Sequence, residues 1–494
     1  MIHGNRKSRI LSGISANVFG QAITVGVQLA GVPLLLHYWG VQYYGEWLLL
    51  FTLPSYLGMS DFGLGTVATT EISMCVARQD FEKAGRVFRG AFFCVNAIGL
   101  AICSAFALSA WIFPYHNWLN LKQITPHELS IALTLLSGYI FCALFLTLLQ
   151  GTYRVVGRYA RGQIISNLFR LLEFTAMLIA AASGGGVVLA AAAFFSIRLI
   201  YSGFVWFDIR RRAGWLRLDT WGWEWPSVRP LLPSSLSMMA VYMGQSLVSQ
   251  GLVTIIGVSL GAASVVLFST IRTLCNFAKQ LIGIVNLSVF SEYAISIGKQ
   301  DFAAARRLHT RSVQASVGLT LLSVAGLKIA GPWVLMLWTQ GKVAAEEPFF
   351  SLYLCYILAN SLWLGSWNML LGCNLHQSIT RYYLLASLLV IISTYIGVGR
   401  LGLSFVPVAL LLSDALFSLV VLRKSLNVLR QPMPDFLRQA LRWPARVAIS
   451  PSHMLAASSA GLLALYMSRI AMSSPLRPRP PEARMPAVPP TSGG

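Results

Sequence analysis

The sequence predicts an all-α, polytopic membrane protein of about twelve transmembrane helices, arranged as two pseudo-symmetric six-helix bundles. Three observations predict it. The 494 residues are 56% hydrophobic and only 11% charged, with mean hydropathy +0.64, whereas a soluble protein carries about 25% charged residues. Apolar runs of about 20 residues, the length a bilayer demands, recur along nearly the whole chain. Finally, the chain repeats itself without a gap at an offset of 221: Arg78-Gln79-Asp80-Phe81 with Lys299-Gln300-Asp301-Phe302, Gly40 with Gly261, Thr52-Leu53 with Thr273-Leu274, and Glu71 with Glu292. A repeat inside a membrane protein is the mark of two similar bundles facing a central site, the ground plan of a transporter.

In order, the expected spans are 11–37, 44–70, 90–113, 128–151, 163–184 and 186–207, then 231–258, 264–290, 313–338, 348–372, 380–398 and 402–422. The first follows three basic residues but has no short apolar core with a cleavage site, so it reads as a retained span. The second carries Pro54 and a glycine-rich stretch at its centre; the fifth and sixth meet at Gly184-Gly185-Gly186. The small-residue run Ala190–Ala193 permits close helix contact in the sixth. Six spans on each side of residue 208 agree with the repeat. The expected organisation is therefore 1–207 as one bundle, 208–230 as an interfacial linker, 231–422 as the second bundle, and 423–494 as a basic, partly disordered tail. The linker's Trp215, Trp221, Trp223 and Trp225 suit the headgroup region. Residues 453–472 are apolar enough to raise a thirteenth crossing, although Arg469 counts against it.

Basic residues gather in alternate loops. Arg6, Lys7 and Arg9; Arg78, Lys83, Arg86 and Arg89; Arg154, Arg158 and Arg161; Arg210, Arg211, Arg212, Arg217 and Arg229; and Lys299, Arg306, Arg307 and Arg311 all fall on one side, with the tail from Arg423. The other side receives little beyond Lys122, Lys342 and Arg400. The positive-inside rule makes the basic side cytoplasmic, with both termini there. The net charge of +21 is thus accounted for by topology, and nucleic acid is not an expected partner. The seven cysteines form no CxxC, the histidines lack metal-ligand spacing, and no Walker loop is present; no cofactor is expected. The repeated Gln-Asp-Phe segments read as short amphipathic helices on the inner surface.

Gly40-Val41-Gln42-Tyr43-Tyr44-Gly45-Glu46-Trp47 resembles the glycine-x-x-x-tyrosine-glycine-x-tryptophan turn of polysaccharide exporters. Leu57-Gly58-Met59-Ser60-Asp61-Phe62-Gly63-Leu64-Gly65 is similar to their Asp-x-Gly-Leu-Gly stretch. The chain therefore resembles a lipid-linked oligosaccharide (Wzx-type) flippase, in the superfamily that also holds multidrug and toxic-compound extrusion transporters and lipid II flippases. It departs from the lipid II flippases in having about twelve spans, not fourteen, and in lacking their basic cluster in the first span. The resemblance implies flipping of an undecaprenyl-diphosphate-linked oligosaccharide for O-antigen or exopolysaccharide biosynthesis in a bacterial inner membrane. The lipid bilayer, a polysaccharide polymerase and a chain-length regulator are the partners that go with it.

Ionisable groups within spans are costly and mark function. Arg170, Arg198, Arg272 and Lys279 are the candidates for a cationic substrate cavity. Arg272 and Lys279 are seven apart on one helix, so they share a face about 10 Å apart and cannot satisfy each other; a diphosphate would. Snorkelling is the alternative for Arg272, and for Lys328. Asp61, Glu173 and Asp414 are the candidates for ion or proton coupling or gating. Glu173 can pair with Arg170 at i,i+3 or with Arg198; Asp61 can cap or hinge its glycine-rich neighbourhood; Asp414, beside Ser413, can hydrogen-bond to an adjacent helix. The alternatives to a flippase are a multidrug or cation antiporter of the same fold, which calls for an acid-lined cavity, and a membrane-embedded glycan polymerase or glycosyltransferase, which calls for larger external loops.

Overall fold

The computed structural model describes residues 6–213, 225–298, 300–372, 375 and 377–442. All regular structure among them is helical. In order these are α1 (Arg6–Leu57), a 3-10 turn (Gly58–Asp61), α2 (Leu64–Ala77), α3 (Phe81–Ile112), the short α4 (Tyr115–Trp118), α5 (Pro126–Val155), α6 (Tyr159–Ala182) and α7 (Val187–Arg212). The second half holds the short α8 (Trp225–Val228), α9 (Leu232–Ser246), a π turn (Leu247–Gly251), α10 (Leu252–Leu260), α11 (Ala262–Gly298), α12 (Phe302–Trp338), α13 (Phe349–Gly372), α14 (Gln377–Leu401), α15 (Phe405–Val428) and α16 (Met433–Leu441).

Ten stretches are long and apolar enough to cross a bilayer. The first, Ser15–Val76, turns at Gly40 and crosses twice. Trp39 and Trp47 show the reversal: eight residues apart, they would be separated by about 12 Å along a continuous helix, yet their rings lie 5.6 Å apart. The 37-residue α11 adds another crossing, so the described residues cross twelve times. This is a multi-pass membrane protein.

The sequence repeat is also a structural one. Gly40 (φ 71°, ψ 177°) and Gly261 (φ 87°, ψ 172°) break the chain in the same conformation, one that a Cβ would strain. Gln79 and Gln300 both take positive φ. Asp80 accepts from Lys83 N at 3.0 Å and Asp301 from Ala304 N at 2.9 Å, each capping the helix that follows. The expectation of short surface helices is corrected here. Both Gln-Asp-Phe segments are the capped starts of the long helices α3 and α12, because the Asp side chain serves the orphan N–H groups of a helix that simply continues into the membrane.

The core is divided unevenly. On the face away from the basic loops, one buried cluster joins both halves, from Leu36, Trp47 and Leu50 to Ile256, Phe268 and Tyr353. On the basic face the described residues form three clusters: one around Phe88, Leu149 and Tyr201, one around Tyr293, Met369 and Phe417, and a small one of Val313, Leu426 and Phe436. Gly45 sits so tightly on α11 that a Cβ there would lie 2.3 Å from Ala262 O. Thr52 Oγ1 and Thr254 Oγ1 are 3.3 Å apart across the same seam. Nearer the basic face α2 meets α9, with Thr66 and Tyr242 hydroxyls 3.4 Å apart. The halves are therefore fused through a broad core at the far face, while at the basic one only the start of the second half, Val228, Leu231 and Leu232, packs into the first half's cluster.

Ordered structure runs past residue 422. Phe436 of α16 is buried against His309 of α12, while Arg306 donates to Leu429 O and Arg430 O. Trp215, Trp221, Trp223, Glu292's side chain, and residues 453–472 with the rest of the tail lie outside the described residues.

Candidate functional site

Arg272 lies about 16 Å below the far-face turn at Gly261, and Lys279 about 10 Å further along α11. Neither cation is met by a carboxylate within ion-pair distance among the described residues. Arg272 Nη1 donates to Ser249 O at 2.7 Å, and its guanidinium lies 5.0 Å over the Phe268 ring. Ser249 belongs to the π turn, where the helical hydrogen-bond ladder is interrupted and a carbonyl can serve an outside donor. Tyr44, from the other half, lies within electrostatic range of Arg272. Held this way, Arg272 does not snorkel to the surface. Lys279 Nζ donates to Tyr356 OH at 2.9 Å and sits 4.3 Å over that ring. Both side chains lie well along α11 from either end and are half-buried.

Asp414 on α15 accepts from Asn360 Nδ2 on α13 at 2.8 Å, and Lys279 lies within electrostatic range. Ser413 turns away and donates to Ala386 O of α14 at 3.0 Å. Arg272, Lys279 and Asp414 thus stand around Tyr356, an arrangement suited to a ligand with more negative charge than positive.

The N-terminal half differs. Glu173 is buried, and Arg198 Nη2 donates to its Oε2 at 2.9 Å. Arg198 Nε approaches Oε1 to 2.7 Å, a charge contact whose angle falls short of a hydrogen bond. Tyr139 OH takes a further bond from Arg198, whose guanidinium also lies 4.5 Å over the Tyr139 ring. Arg170 is left out of this pair; it is exposed and donates to Thr24 Oγ1 of α1 at 2.8 Å. Asp61 sits in the break of the second crossing, where its Oδ1 accepts from Gly63 N at 3.0 Å and steadies the turn through left-handed Phe62 and Gly63. Lys328 pairs with Glu347 at 2.7 Å on the far face, remote from the site.

Three features escaped the sequence reading. Asn17, Gln21, Thr24 and Gln28 recur at spacings of four, three and four, which places them within about 60° of one another on α1. Asn17 accepts from Tyr159 OH at 3.0 Å, and Gln28 from Gln280 Nε2 at 3.2 Å. This neutral stripe runs from the basic face to the residue beside Lys279.

Glu46 was noted only as part of a motif. It is fully buried and accepts from the N–H groups of Lys122, Gln123 and Ile124 at 2.9–3.1 Å and from Gln42 Nε2 at 3.1 Å, tying the hairpin at Gly40 to a far-face loop. Tyr43 OH accepts from Val187 N at 2.9 Å beside it.

The third feature follows from covalent structure. Pro33 has no N–H, so Leu29 O loses its helical donor; Trp338 Nε1 supplies one at 2.7 Å. The break at Gly40 likewise leaves Leu36 O at a helix end, and Lys342 Nζ reaches it at 2.7 Å. Both donors come from the opposite half, just at or beyond the end of α12.

No protein-family profile matches the chain, and no curated protein does either. Solved structures do. An inward-facing multidrug resistance transporter of the MATE family, in the MOP superfamily, superposes with TM-score 0.64 at 15% identity, over 85% of this chain and 98% of that one. This chain has the MATE fold. A MATE structure in the bent conformation gives TM-score 0.57 at 17% identity over 89% and 98%. An outward-facing multidrug resistance MATE transporter gives 0.55 at 16% over 87% and 97%. The MATE fold pairs two helical halves, and α1 and α11 pack against each other across the seam between them here.

Proposed function

We propose that this protein is a transporter, not an enzyme, and that it moves a polyprenyl-diphosphate-linked oligosaccharide across a membrane by alternating access. The observation that carries the reading is Arg272 and Lys279: two cations on one helix face, at the seam between the halves, with no carboxylate of their own among the described residues. Cations held inside a membrane-spanning bundle call for anions. A diphosphate brings two or more negative charges and suits bidentate guanidinium contact. The broad core that joins the halves at the far face, set against the smaller clusters at the basic one, supports a state open toward the basic loops. Arg170 and the α1 stripe line the approach, and the lipid tail stays in the bilayer.

Within this reading the basic face is cytoplasmic, the membrane is a bacterial inner membrane, and the product serves O-antigen or exopolysaccharide assembly. A polymerase and a chain-length regulator would take over at the far face. Deleting the gene from its native host and analysing lipids tests this: lipid-linked repeat units should accumulate on the cytoplasmic leaflet and surface polysaccharide should fall. Unchanged lipid-linked pools and polysaccharide would defeat the reading.

The fold relatives favour a second reading, export of a drug or organic cation, because the matched structures are multidrug transporters. The excess of cations over carboxylates around Tyr356 opposes it. Proteoliposome uptake of an organic cation that is lost in Asp414→Asn and unaffected in Lys279→Gln would favour it over the flippase.

A further inference from the structure

Four residues of α13, Tyr356, Asn360, Trp363 and Trp367, are spaced by four, three and four and so share one face. Toward the basic side this face meets Asp414 and Phe417 of α15 and Tyr383 of α14. Ring centroids are 5.4 Å apart for Trp367–Tyr383 and 6.1 Å for Trp367–Phe417. Trp363 and Phe417, 5.1 Å apart and edge-on, are buried and back the others. Trp367, Tyr383, Asn360 and Asp414 remain partly accessible.

The polar groups here are not used up. Asn360 gives one N–H to Asp414 Oδ2. The buried indole N–H of Trp363 is directed at Asp414 as a second, loosely aligned donor. A carboxylate is acceptor-only with room for several donors, and an amide both accepts and donates. Rigid rings offer a broad apolar contact at low entropic cost, with a polar rim. A pyranose matches this set: its C–H face lies on a ring while its equatorial hydroxyls donate to a carboxylate and exchange bonds with an amide.

Resting on the proposed flippase reading, we infer that Trp367, Tyr383, Asp414 and Asn360 form a sugar subsite, next along α13 from the anion subsite of Arg272, Lys279 and Tyr356. The two together take a glycosyl diphosphate, diphosphate against α11 and first sugars against Trp367. This assigns Asp414 to hydroxyl recognition. An organic cation also suits rings and a carboxylate, but it would meet Lys279 in the same chamber.

Binding to the purified full chain in nanodiscs tests this, with UDP and a panel of UDP-glucose, UDP-galactose and UDP-N-acetylglucosamine as probes. At least one UDP-sugar should bind about fivefold or more tighter than UDP. Trp367→Ala should erase that increment while UDP itself binds within about twofold of wild type, which also certifies folding. Asp414→Asn should erase the increment as well, read as the ratio of UDP-sugar to UDP affinity, because loss of the charge near Lys279 tightens UDP itself. Trp367→Phe should keep part of it. Arg272→Gln should weaken UDP and UDP-sugars alike by about tenfold.

The inference is overturned if no sugar adds affinity, if the increment survives Trp367→Ala, or if Asp414→Asn merely tightens UDP and leaves the increment intact. The last outcome would make Asp414 only a counter-charge to Lys279. Tetraphenylphosphonium bound more tightly than any sugar, and lost in Asp414→Asn, overturns it too. If UDP fails to bind wild type, the cationic-site reading falls. Methyl glycosides at millimolar concentration then decide the subsite, which stands only if their binding is lost in Trp367→Ala.

Discussion

In the N-terminal half, Arg198 has a buried carboxylate and a phenol against it; in the C-terminal half, Arg272 and Lys279 have a backbone carbonyl, a phenol and the faces of two rings. The first arrangement neutralises a cation where it stands. The second orients two cations and leaves their charge unanswered. The two halves of the repeat thus differ: one carries a closed pair, and the other two cations with no ion-paired carboxylate among the described residues. Burial alone does not distinguish them, since all these groups lie well inside the protein. What distinguishes them is whether a carboxylate stands within ion-pair distance among the described residues.

The largest effect expected from breaking this contrast is on the closed pair. Glu173→Gln leaves Arg198 buried and uncompensated and should cost about 3–5 kcal/mol of stability, read as a large drop in melting temperature and membrane yield. Replacing both, Glu173→Gln with Arg198→Gln, should recover much of it; equal loss in the double variant would mean that the pair is not what Glu173 supports. On the open side, Lys279→Gln and Arg272→Gln should leave the melting temperature level or raised and lower transport about 100-fold, equivalent to about 2.7 kcal/mol. Normal export in both variants would remove these cations from the mechanism.

A smaller effect concerns the seal. Trp338→Phe takes the donor from Leu29 O, at about 1–3 kcal/mol for the unsatisfied group, and should shift spin-label distances across the far face toward separation. Unchanged distances would show that Leu29 O finds another donor. Smallest is Lys328→Ala, which removes an exposed pair worth about 0–1 kcal/mol. Lys328 holds the Glu347 carboxyl below its ordinary value of 4.5. A lowered carboxylate stabilises the fold above that value and loses the contribution as pH falls below it, so wild type and variant should differ at pH 7 and converge in acid.

Much of this was legible in the chain. Twelve crossings, the repeat and the break near Asp61 follow from apolar run length, spacing and glycine, all of which act locally. The pairing of Glu173 with Arg198 was one of two open choices, because sequence puts Arg170 equally near at i,i+3 and does not say which way each helix faces. The Gln-Asp-Phe segments misled because a capped first turn and a separate amphipathic turn share one pattern. Asn17, Gln21, Thr24 and Gln28 were in view at helical spacing, but a search led by charge passes over neutral polar groups. Glu46 and the donors to Leu29 O and Leu36 O needed the tertiary structure, since their partners stand between 76 and 309 residues away.

Those two donors bear on how the protein avoids leaking. Because Trp338 and Lys342 belong to one half and the carbonyls they serve to the other, the halves cannot part at that end without breaking both hydrogen bonds, and each acceptor must then be met by water. Separation there must coincide with the arrival of solvent. Dry parting is therefore penalised.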